Sequence, residues 1–206
     1  LIEGYLMQNQ YYVNIYGPKT ILIMLVGGFY EIYATKTIEN QDDYEGSEIE
    51  RVSYICDLVI TQRRHKLNDK YIYQVGFRDL YWEKYVERLT QNNFCVVKFD
   101  QDEKDKTSRK LSQIYSPGTF FQQNSIKLSN NTICLWVEKF NSLSKPCYVF
   151  GFSTIDIYSG KINIFEFDET PIQNKILGDE LERYLTIYNP NEVLCIFRNI
   201  QNDDET

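Results

Sequence analysis

The chain has 206 residues, with 22 Lys and Arg against 29 Asp and Glu, a formal net charge of -7, and 43% hydrophobic and 15% aromatic residues. This apolar and aromatic content is enough to build a core and excludes general disorder, and the longest apolar run, Ile21 to Val26, is far too short to span a membrane. We therefore expect a soluble protein of one or two small domains, without a targeting segment or a membrane partner.

The five cysteines form no C-x-x-C pair, and the chain has a single His. An odd number of cysteines is typical of a reducing compartment, and this composition does not indicate a zinc site of the usual spacing. The residues therefore predict an intracellular protein that is not secreted and has no metal site of its own. Because Leu1 is not a start methionine, we also expect the chain to be part of a longer protein.

The first half of the chain alternates between strand and helix patterns. An uninterrupted apolar run predicts a strand over Lys19 to Val26 that stops at Gly27-Gly28, and the segment Phe29 to Lys36 could open a helix. Thr61 to Asp69 is polar and basic, and no strand is predicted there. The other predicted elements are helices over Ile49 to Ile60 and Leu80 to Gln91, and strands over Tyr71 to Val75, Phe94 to Phe99 and Leu111 to Tyr115. This order predicts an α/β layer.

A polar segment, Gln122 to Asn131, predicts a boundary between a first domain of residues 1–125 and a second domain of residues 126–206. The second domain is predicted to hold strands over Thr132 to Lys139 and Cys147 to Ile157, with a hairpin to Ile162 to Phe167. These are followed by a helix that starts at Thr170-Pro171 and ends before Pro190, and by a buried strand over Glu192 to Phe197. A hairpin-rich sheet followed by a helix and a strand is compatible with ribonuclease-H-like layering.

The most unusual local feature is the pentapeptide Gly27-Gly28-Phe29-Tyr30-Glu31. Two glycines before an aromatic residue let the backbone come close to a ligand and hold the ring out from the sheet edge. The alternative is that Phe29 and Tyr30 are both core residues at the start of a helix. Neither G-x-x-x-x-G-K-[ST] nor G-x-G-x-x-G occurs in the sequence, so nucleotide hydrolysis by this chain is not indicated.

Segments along nearly the whole chain resemble the DNA mismatch repair protein family MutS. Ile21 to Tyr33 (ILIMLVGGFYEIY) is similar to the strand and G-x-F-Y-E motif of the first domain of the family, and Arg109 to Thr119 (RKLSQIYSPGT) resembles its basic strand ending in T/S-P-G-T. Further similar segments are Thr61 to Arg63, Gly76-Phe77, Glu83 to Gln101, Gly151 to Gly160 and Glu180 to Leu194. The resemblance implies an α/β chain of two small domains: a mixed-sheet MutS domain I over 1–125 and a ribonuclease-H-like connector domain over 126–206.

The resemblance also implies roles for two residues of the pentapeptide. In the MutS family the Phe of F-x-E is wedged beside a mispaired or unpaired base from the minor groove, and the Glu hydrogen-bonds that base. Phe29 is therefore the expected wedge and Glu31 the expected base contact. Opening a base step costs a few kcal/mol, and least where pairing is already defective, while a mispaired base offers donors that a carboxylate can accept.

Carried over in the same way, Arg63, Arg109 and Lys110 fall on basic positions of the family. They are expected to contact the DNA backbone, where they would set affinity and salt dependence but not selectivity.

Departures from the family pattern keep a rival interpretation open. Gly28 stands where the family usually has Asp, and Arg78-Asp79 stands where it often has Pro-Tyr. Residues 126–206 are also acidic, with 7 basic and 12 acidic residues. The rival is a non-selective DNA or protein-interaction module of a MutS-like protein that has lost its mismatch preference.

A second alternative concerns Asp156, Glu166 and Asp168, which resemble the acidic set of a two-metal ribonuclease-H-like nuclease. Because Glu166 and Asp168 approach the end of a strand and no fourth carboxylate is placed to help, solvated acids of a hairpin are the better interpretation. We expect the chain not to be an enzyme and to hold no cofactor.

For the full-length family member, the resemblance implies ATP and Mg²⁺ as cofactors and mismatched double-stranded DNA as the partner. It also implies a homodimer formed through regions beyond this chain, and a location wherever DNA is replicated (nucleoid, nucleus, organelle or viral factory).

Overall fold

The structure is a computed structural model, and it describes residues 1–37, 43–102, 104–120, 129–142, 145–169 and 174–200. The chain divides into two compact units, residues 1–120 and 121–206, each with its own hydrophobic core. The boundary predicted at residue 125 falls in the segment 121–128, outside the described residues. No helix in the described part of the chain is long and apolar enough to cross a membrane.

The first unit is a mixed sheet with helices packed against it. Its elements are α1 (Ile2–Tyr16), β1 (Thr20–Val26), β2 (Phe29–Lys36), α2 (Ile49–Cys56), β3 (Thr61–Leu67), β4 (Lys70–Arg78), a 3-10 turn (Asp79–Tyr81), α3 (Trp82–Gln91), β5 (Cys95–Gln101) and β6 (Arg109–Tyr115). The strand order is β3-β4-β2-β1-β5-β6, in which β1 and β5 are parallel and the other neighbours antiparallel. The predicted α/β class with a mixed sheet is confirmed.

The segment Phe29–Lys36 is a strand, so the expectation that it opens a helix is wrong. Val26 pairs with Phe29 across a turn of two residues, and Gly27 has a φ of 63°, a backbone region that glycine adopts without strain. Two-residue turns of this kind join antiparallel neighbours. Pairing on both sides, with β1 and with β4, therefore overrides any helical tendency of the residues after Phe29.

Helix α1 precedes the first element that the sequence predicted. Its apolar pattern is weak because one of its two buried residues is Asn9. The Tyr5 hydroxyl donates to the Leu22 carbonyl at 2.8 Å, and the Leu22 N–H donates to Asn9 Oδ1 at 2.9 Å. Leu22 precedes Met24, the first residue of β1 that pairs with β2. The two bonds therefore supply partners for backbone groups of β1 that β2 does not reach. Polar as well as apolar contacts thus attach α1 to the sheet.

The strand β3 lies at one edge of the sheet, although its polar and basic composition did not predict a strand. Its pairing with β4 is interrupted between Gln62 and Lys66. An edge strand pairs on one side only, and charged residues there are a common protection against further pairing. Composition alone therefore could not separate this strand from a loop.

The second unit has the element order that the sequence predicted. Its elements are β7 (Asn131–Ser142), β8 (Lys145–Asp156), β9 (Ile162–Glu169), α4 (Asn174–Tyr188) and β10 (Glu192–Arg198). The strand order is β10-β7-β8-β9, with β10 parallel to β7 and the other neighbours antiparallel. Leu181 and Tyr184 of α4 pack against a small core formed by Leu135, Val137, Phe150 and Phe152. The predicted helix start at Thr170-Pro171 lies outside the described residues.

Strand β10 was expected to be buried, and that expectation is wrong. Every residue from Val193 to Arg198 is exposed. β10 is an edge strand that pairs only with β7 among the described residues. An apolar run of this length predicts a strand, but its burial depends on which elements cover the two faces of the sheet.

Candidate nucleic-acid interface

The turn between β1 and β2 forms a corner of the first unit at which Phe29 is exposed. The exposed fraction of Phe29 is 46%, whereas that of Tyr30 is 4%. Tyr30 lies on the other face of the sheet, where its hydroxyl donates to Asp100. The alternative that both aromatic residues belong to the core is therefore wrong.

Further apolar side chains surround this corner. The Asp79 N–H donates to the Gly28 carbonyl at 3.0 Å, which ties the hairpin turn to the 3-10 turn. Leu80 and Tyr81 of the 3-10 turn are themselves exposed. A Cβ atom at Gly28 would meet no atom within 4 Å, so the backbone here leaves open space for a side chain to begin. The corner is thus an exposed apolar tip held by backbone hydrogen bonds.

Arg78 also belongs to this corner. In the sequence it stood out only as a departure from the family pattern, and no role at the site was expected for it. It pairs with Phe29 across β2 and β4, so the two side chains project from the same face of the sheet. The Arg78 side chain is exposed and has no hydrogen-bond or ion-pair partner among the described residues. Its position beside Phe29 depends on strand pairing between distant segments, which no local pattern shows.

Glu31 lies on the same face, two residues along β2 from Phe29. Its Oε2 accepts hydrogen bonds from the Tyr33 hydroxyl and from Arg63 Nη2, the latter at 3.0 Å. Arg63 Nε donates to Gln74 Oε1, and the guanidinium carbon lies 5.2 Å from the centre of the Tyr33 ring. The Glu31 side chain is only 15% exposed. The carboxylate is therefore held by a network whose members Tyr33 and Gln74 the sequence did not indicate.

Gly76 makes room for this network. It pairs with Glu31 across β2 and β4, and a Cβ atom at Gly76 would lie 3.0 Å from the Tyr30 carbonyl oxygen and 3.4 Å from Glu31 Cγ. Burial and the hydrogen bond to Glu31 raise the pKa of the Tyr33 hydroxyl. Tyr33 therefore remains a proton donor to Glu31 at neutral pH.

Arg109 and Lys110 lie on β6, at the opposite edge of the sheet from β3. Arg109 Nε donates to the Leu25 carbonyl at 3.1 Å and its Nη1 to the Thr107 carbonyl at 2.6 Å. Lys110 Nζ lies 3.4 Å from Asp102 Oδ2, and the Lys110 side chain is 60% exposed. An exposed ion pair of this kind is weak and exchanges readily. Arg109 thus fastens β1 to the β5–β6 loop, whereas Lys110 is accessible.

The three cations predicted from the sequence do not form one exposed cluster. Arg63 lies on β3, and Arg109 and Lys110 lie on β6, at the opposite edge of the sheet. The charges of Arg63 and Arg109 both oppose the rise in the pKa of Tyr33.

The described acidic side chains of the second unit are not assembled into a site. The Asp156 carboxylate accepts hydrogen bonds from the Ser159 hydroxyl and from backbone N–H groups, which lower the pKa of Asp156. Glu166 pairs with Gly151, so strand alternation places it on the opposite face from Asp156; the Asp168 side chain lies outside the described part. No group of three or more His, Cys, Asp or Glu is arranged to hold a metal ion within the described ranges.

Comparison with known proteins identifies the family. A family model described as MutS domain I matches residues 6–124, which is more than half of the chain. The chain belongs to the MutS family. The matched region contains the exposed corner, Glu31 and the three predicted cations, and the resemblance inferred from the sequence is confirmed at the level of the family.

Curated relatives cover nearly the whole chain at low identity. The chain is 25% identical over 205 residues to a protein of Acanthamoeba polyphaga mimivirus named as a MutS homologue of DNA mismatch repair, covering 97% of this chain and 18% of that protein. It is 25% identical over 199 residues to MutS of Parabacteroides distasonis (94% and 20%), and 24% identical over 208 residues to MutS of Petrotoga mobilis (98% and 22%). The chain spans about a fifth of the length of these relatives.

Proposed function

We propose that this chain is the DNA-contacting part of a MutS-type mismatch repair protein. In this proposal Phe29 enters a base step at a mispaired or distorted site, and Glu31 hydrogen-bonds the base exposed there. The observation that carries the proposal is the exposed Phe29 ring at the hairpin corner, with Glu31 on the same face two residues away.

The geometry suits a wedge. Phe29 pairs on both sides, with Val26 and with Arg78, so its backbone is already ordered and little conformational entropy is lost on binding. Two residues of strand separate the Phe29 and Glu31 Cα atoms by about 7 Å, which lets both side chains reach one unpaired base. Inserting a ring between stacked pairs costs least where pairing is already defective, so insertion favours a mismatch over a matched site.

The ion pair with Arg63 makes it possible for a carboxylate to lie near DNA. An isolated Glu31 would be repelled by phosphates, but the Glu31–Arg63 pair is neutral as a unit. Lys110 and Arg109 at the β6 edge, together with the exposed Arg78, supply positive charge for backbone contacts. Such contacts would set affinity and salt dependence.

The second unit is proposed to be a connector domain with ribonuclease-H-like layering. Its three antiparallel strands, helix and fourth strand, with β10 added parallel beside β7, support this assignment. Because the sequence lacks a phosphate-binding glycine loop, binding of ATP and Mg²⁺ is proposed for the regions of the relatives that this chain does not span. Nucleotide hydrolysis and homodimerisation are proposed for the regions of the relatives that this chain does not span.

The proposal is tested by replacing Phe29 with Ala and measuring binding to matched and mismatched duplexes at two salt concentrations. We expect the ratio of mismatched to matched affinity to fall by about tenfold, since one base–aromatic stack is worth roughly 1–3 kcal/mol. Tyr54→Ala removes another exposed aromatic ring, 90% exposed on α2, and should leave the ratio unchanged. If Phe29→Ala keeps the mismatch preference of the unmodified protein, the wedge assignment is wrong.

One observation favours a second candidate, a DNA-binding module without mismatch preference: the exposed Arg78 beside Phe29, which adds charge but no selectivity. In that case matched and mismatched duplexes bind equally, and affinity collapses with salt. Arg78→Gln would then lower both affinities alike and reduce the salt slope by about 1.

A further inference from the structure

We infer that Arg63 and Tyr33 are positioning residues that hold Glu31 in the orientation used for base recognition. This inference rests on the proposed role of Glu31. It assigns to Arg63 a role other than the DNA-backbone contact expected from the sequence.

Three of the five N–H donors of Arg63 are engaged within the protein. Its Nη2 donates to Glu31 at 3.0 Å and to the Tyr33 hydroxyl at 3.4 Å, while its Nε donates to Gln74. The guanidinium is a planar fork with fixed donor directions, so these contacts restrain its orientation. To turn Nε and Nη2 toward a phosphate, Arg63 would have to leave these partners and abandon a Glu31 carboxylate whose side chain is 15% exposed. Leaving a largely buried charge without its partner is unfavourable.

Tyr33 provides the second restraint on Glu31. Its exposed fraction is 0%, and its ring packs edge-on against Tyr5 of α1 at a centroid distance of 5.1 Å. The Tyr33 hydroxyl donates to the same Oε2 atom that Arg63 contacts. Because a buried ring cannot touch DNA, any effect of removing this hydroxyl on base selection must act through the two side chains that it contacts, Glu31 and Arg63.

The network leaves one oxygen of Glu31 available. Both donors contact Oε2, and Oε1 has no hydrogen-bond partner among the described residues. A carboxylate held in this way offers only an acceptor, so it recognises a base edge with a free N–H donor. A correctly paired base has already used its Watson–Crick donors. Fixing Oε1 therefore links the position of Glu31 to the selection of unpaired bases.

The test compares Tyr33→Phe, Arg63→Lys and Arg63→Gln in the full-length protein, on matched and mismatched duplexes over a series of salt concentrations. Each variant should lower the mismatched-to-matched affinity ratio by about three- to tenfold, with an unchanged slope of log affinity against log salt. Arg63→Lys is the sharpest variant, because Lys keeps the charge for a phosphate but lacks the fork that joins Gln74 to Glu31. Arg64→Gln is the matched control: Arg64 is exposed, has no partner within the described ranges, and its loss should leave the ratio unchanged.

A double-mutant cycle identifies the path of the effect. In a Glu31→Ala background, Tyr33→Phe and Arg63→Lys should cause no further loss of the ratio. If Arg63→Gln reduces the salt slope by about 1 while Arg63→Lys behaves like the unmodified protein, Arg63 is a backbone contact and the inference fails, although the proposed function stands. An unchanged ratio in Tyr33→Phe also overturns the inference. An unmodified protein with no mismatch preference overturns the proposed function and this inference together.

Discussion

Replacing Gly76 with Ala tests the packing of β4 against the Glu31 network. The new Cβ atom would lie 3.0 Å from the Tyr30 carbonyl oxygen, 3.4 Å from Glu31 Cγ and 3.7 Å from Glu31 Cα. Adding a methyl group where no space exists costs about 1–3 kcal/mol, and removing a glycine from a strand returns about 0.5–1 kcal/mol. The difference spans about 0–2.5 kcal/mol, and because the nearest atom is a backbone oxygen that cannot rotate away, we expect a net destabilisation of about 1 kcal/mol or more, together with a displacement of Glu31.

Urea unfolding followed by Trp fluorescence can measure this change in stability for the first unit alone. The sequence has two Trp residues, Trp82 in the first unit and Trp136 in the second, so a Trp136→Phe background leaves Trp82 as the only reporter. The midpoint should fall by about 1 M urea for an m-value of about 1–2 kcal/mol per M. Gly151→Ala in β8 is the matched control, read from Trp136 in a Trp82→Phe background. Its Cβ atom would meet Trp136 Cβ at 3.6 Å, an ordinary contact, so its midpoint should stay or rise.

The two strand glycines should therefore respond differently, with a lower urea midpoint only for Gly76→Ala. If the Gly76→Ala midpoint does not fall below that of Gly151→Ala, the methyl group fits between β2 and β4 and the steric argument is wrong. The same variant should also lower the mismatched-to-matched affinity ratio, because Glu31 must move to accommodate the methyl group. If Gly76→Ala is destabilised but its mismatched-to-matched affinity ratio is unchanged, packing at Gly76 does not affect base recognition.

Two further predictions concern the stability of the first unit. Asn9→Ala should destabilise it by about 2 kcal/mol, because the buried N–H of Leu22 loses its acceptor. As a control, Gln10→Ala on the exposed side of α1 should change the free energy of unfolding by no more than about 0.5 kcal/mol. Equal urea midpoints for the two variants would contradict this prediction. Burial alone would raise the pKa of Asp100, but hydrogen bonds and the charge of Lys98 outweigh it and lower the pKa below 3.8. A carboxyl group whose folded pKa is lowered stabilises the fold above its unfolded pKa and loses that effect as pH falls through the folded pKa. The stability loss in Asp100→Asn should therefore be larger at pH 7 than at pH 3. An equal loss at both pH values would show that the pKa of Asp100 is not lowered in the folded protein.

Local sequence patterns correctly predicted those helices and strands whose secondary structure depends mainly on their own residues. The apolar run of β1 and the helix pattern of α3 both follow from short-range preferences. The segment after Gly28 was misjudged because Glu, Ala and Lys favour helices, while pairing with β1 and β4 decides in favour of a strand. Strand β10 was misjudged because an apolar run specifies an extended backbone but not the cover on its faces.

For the candidate site, the motif around Phe29 and Glu31 was visible in the sequence, and the exposure of the Phe29 ring agrees with the expectation that it projects from the sheet. The partners of these residues were not visible. Arg63 meets Glu31 only because β4 lies between β3 and β2 in the sheet, and Gln74 and Gly76 take part through the same pairing. The backbone-contact role expected for Arg63, Arg109 and Lys110 stays a prediction.

The sequence by itself determined family membership, the α/β class and the residue types at the hairpin corner, because each depends on the order of residues along short segments. The tertiary structure decided which side chains meet: Arg78 beside Phe29, Tyr33 and Arg63 on one oxygen of Glu31, and α1 on the stretch of β1 that does not pair with β2. The physical reason is that hydrogen bonds and ion pairs depend on distance in space. Distances between residues on different strands are fixed by pairing and register, which involve segments far apart in the chain.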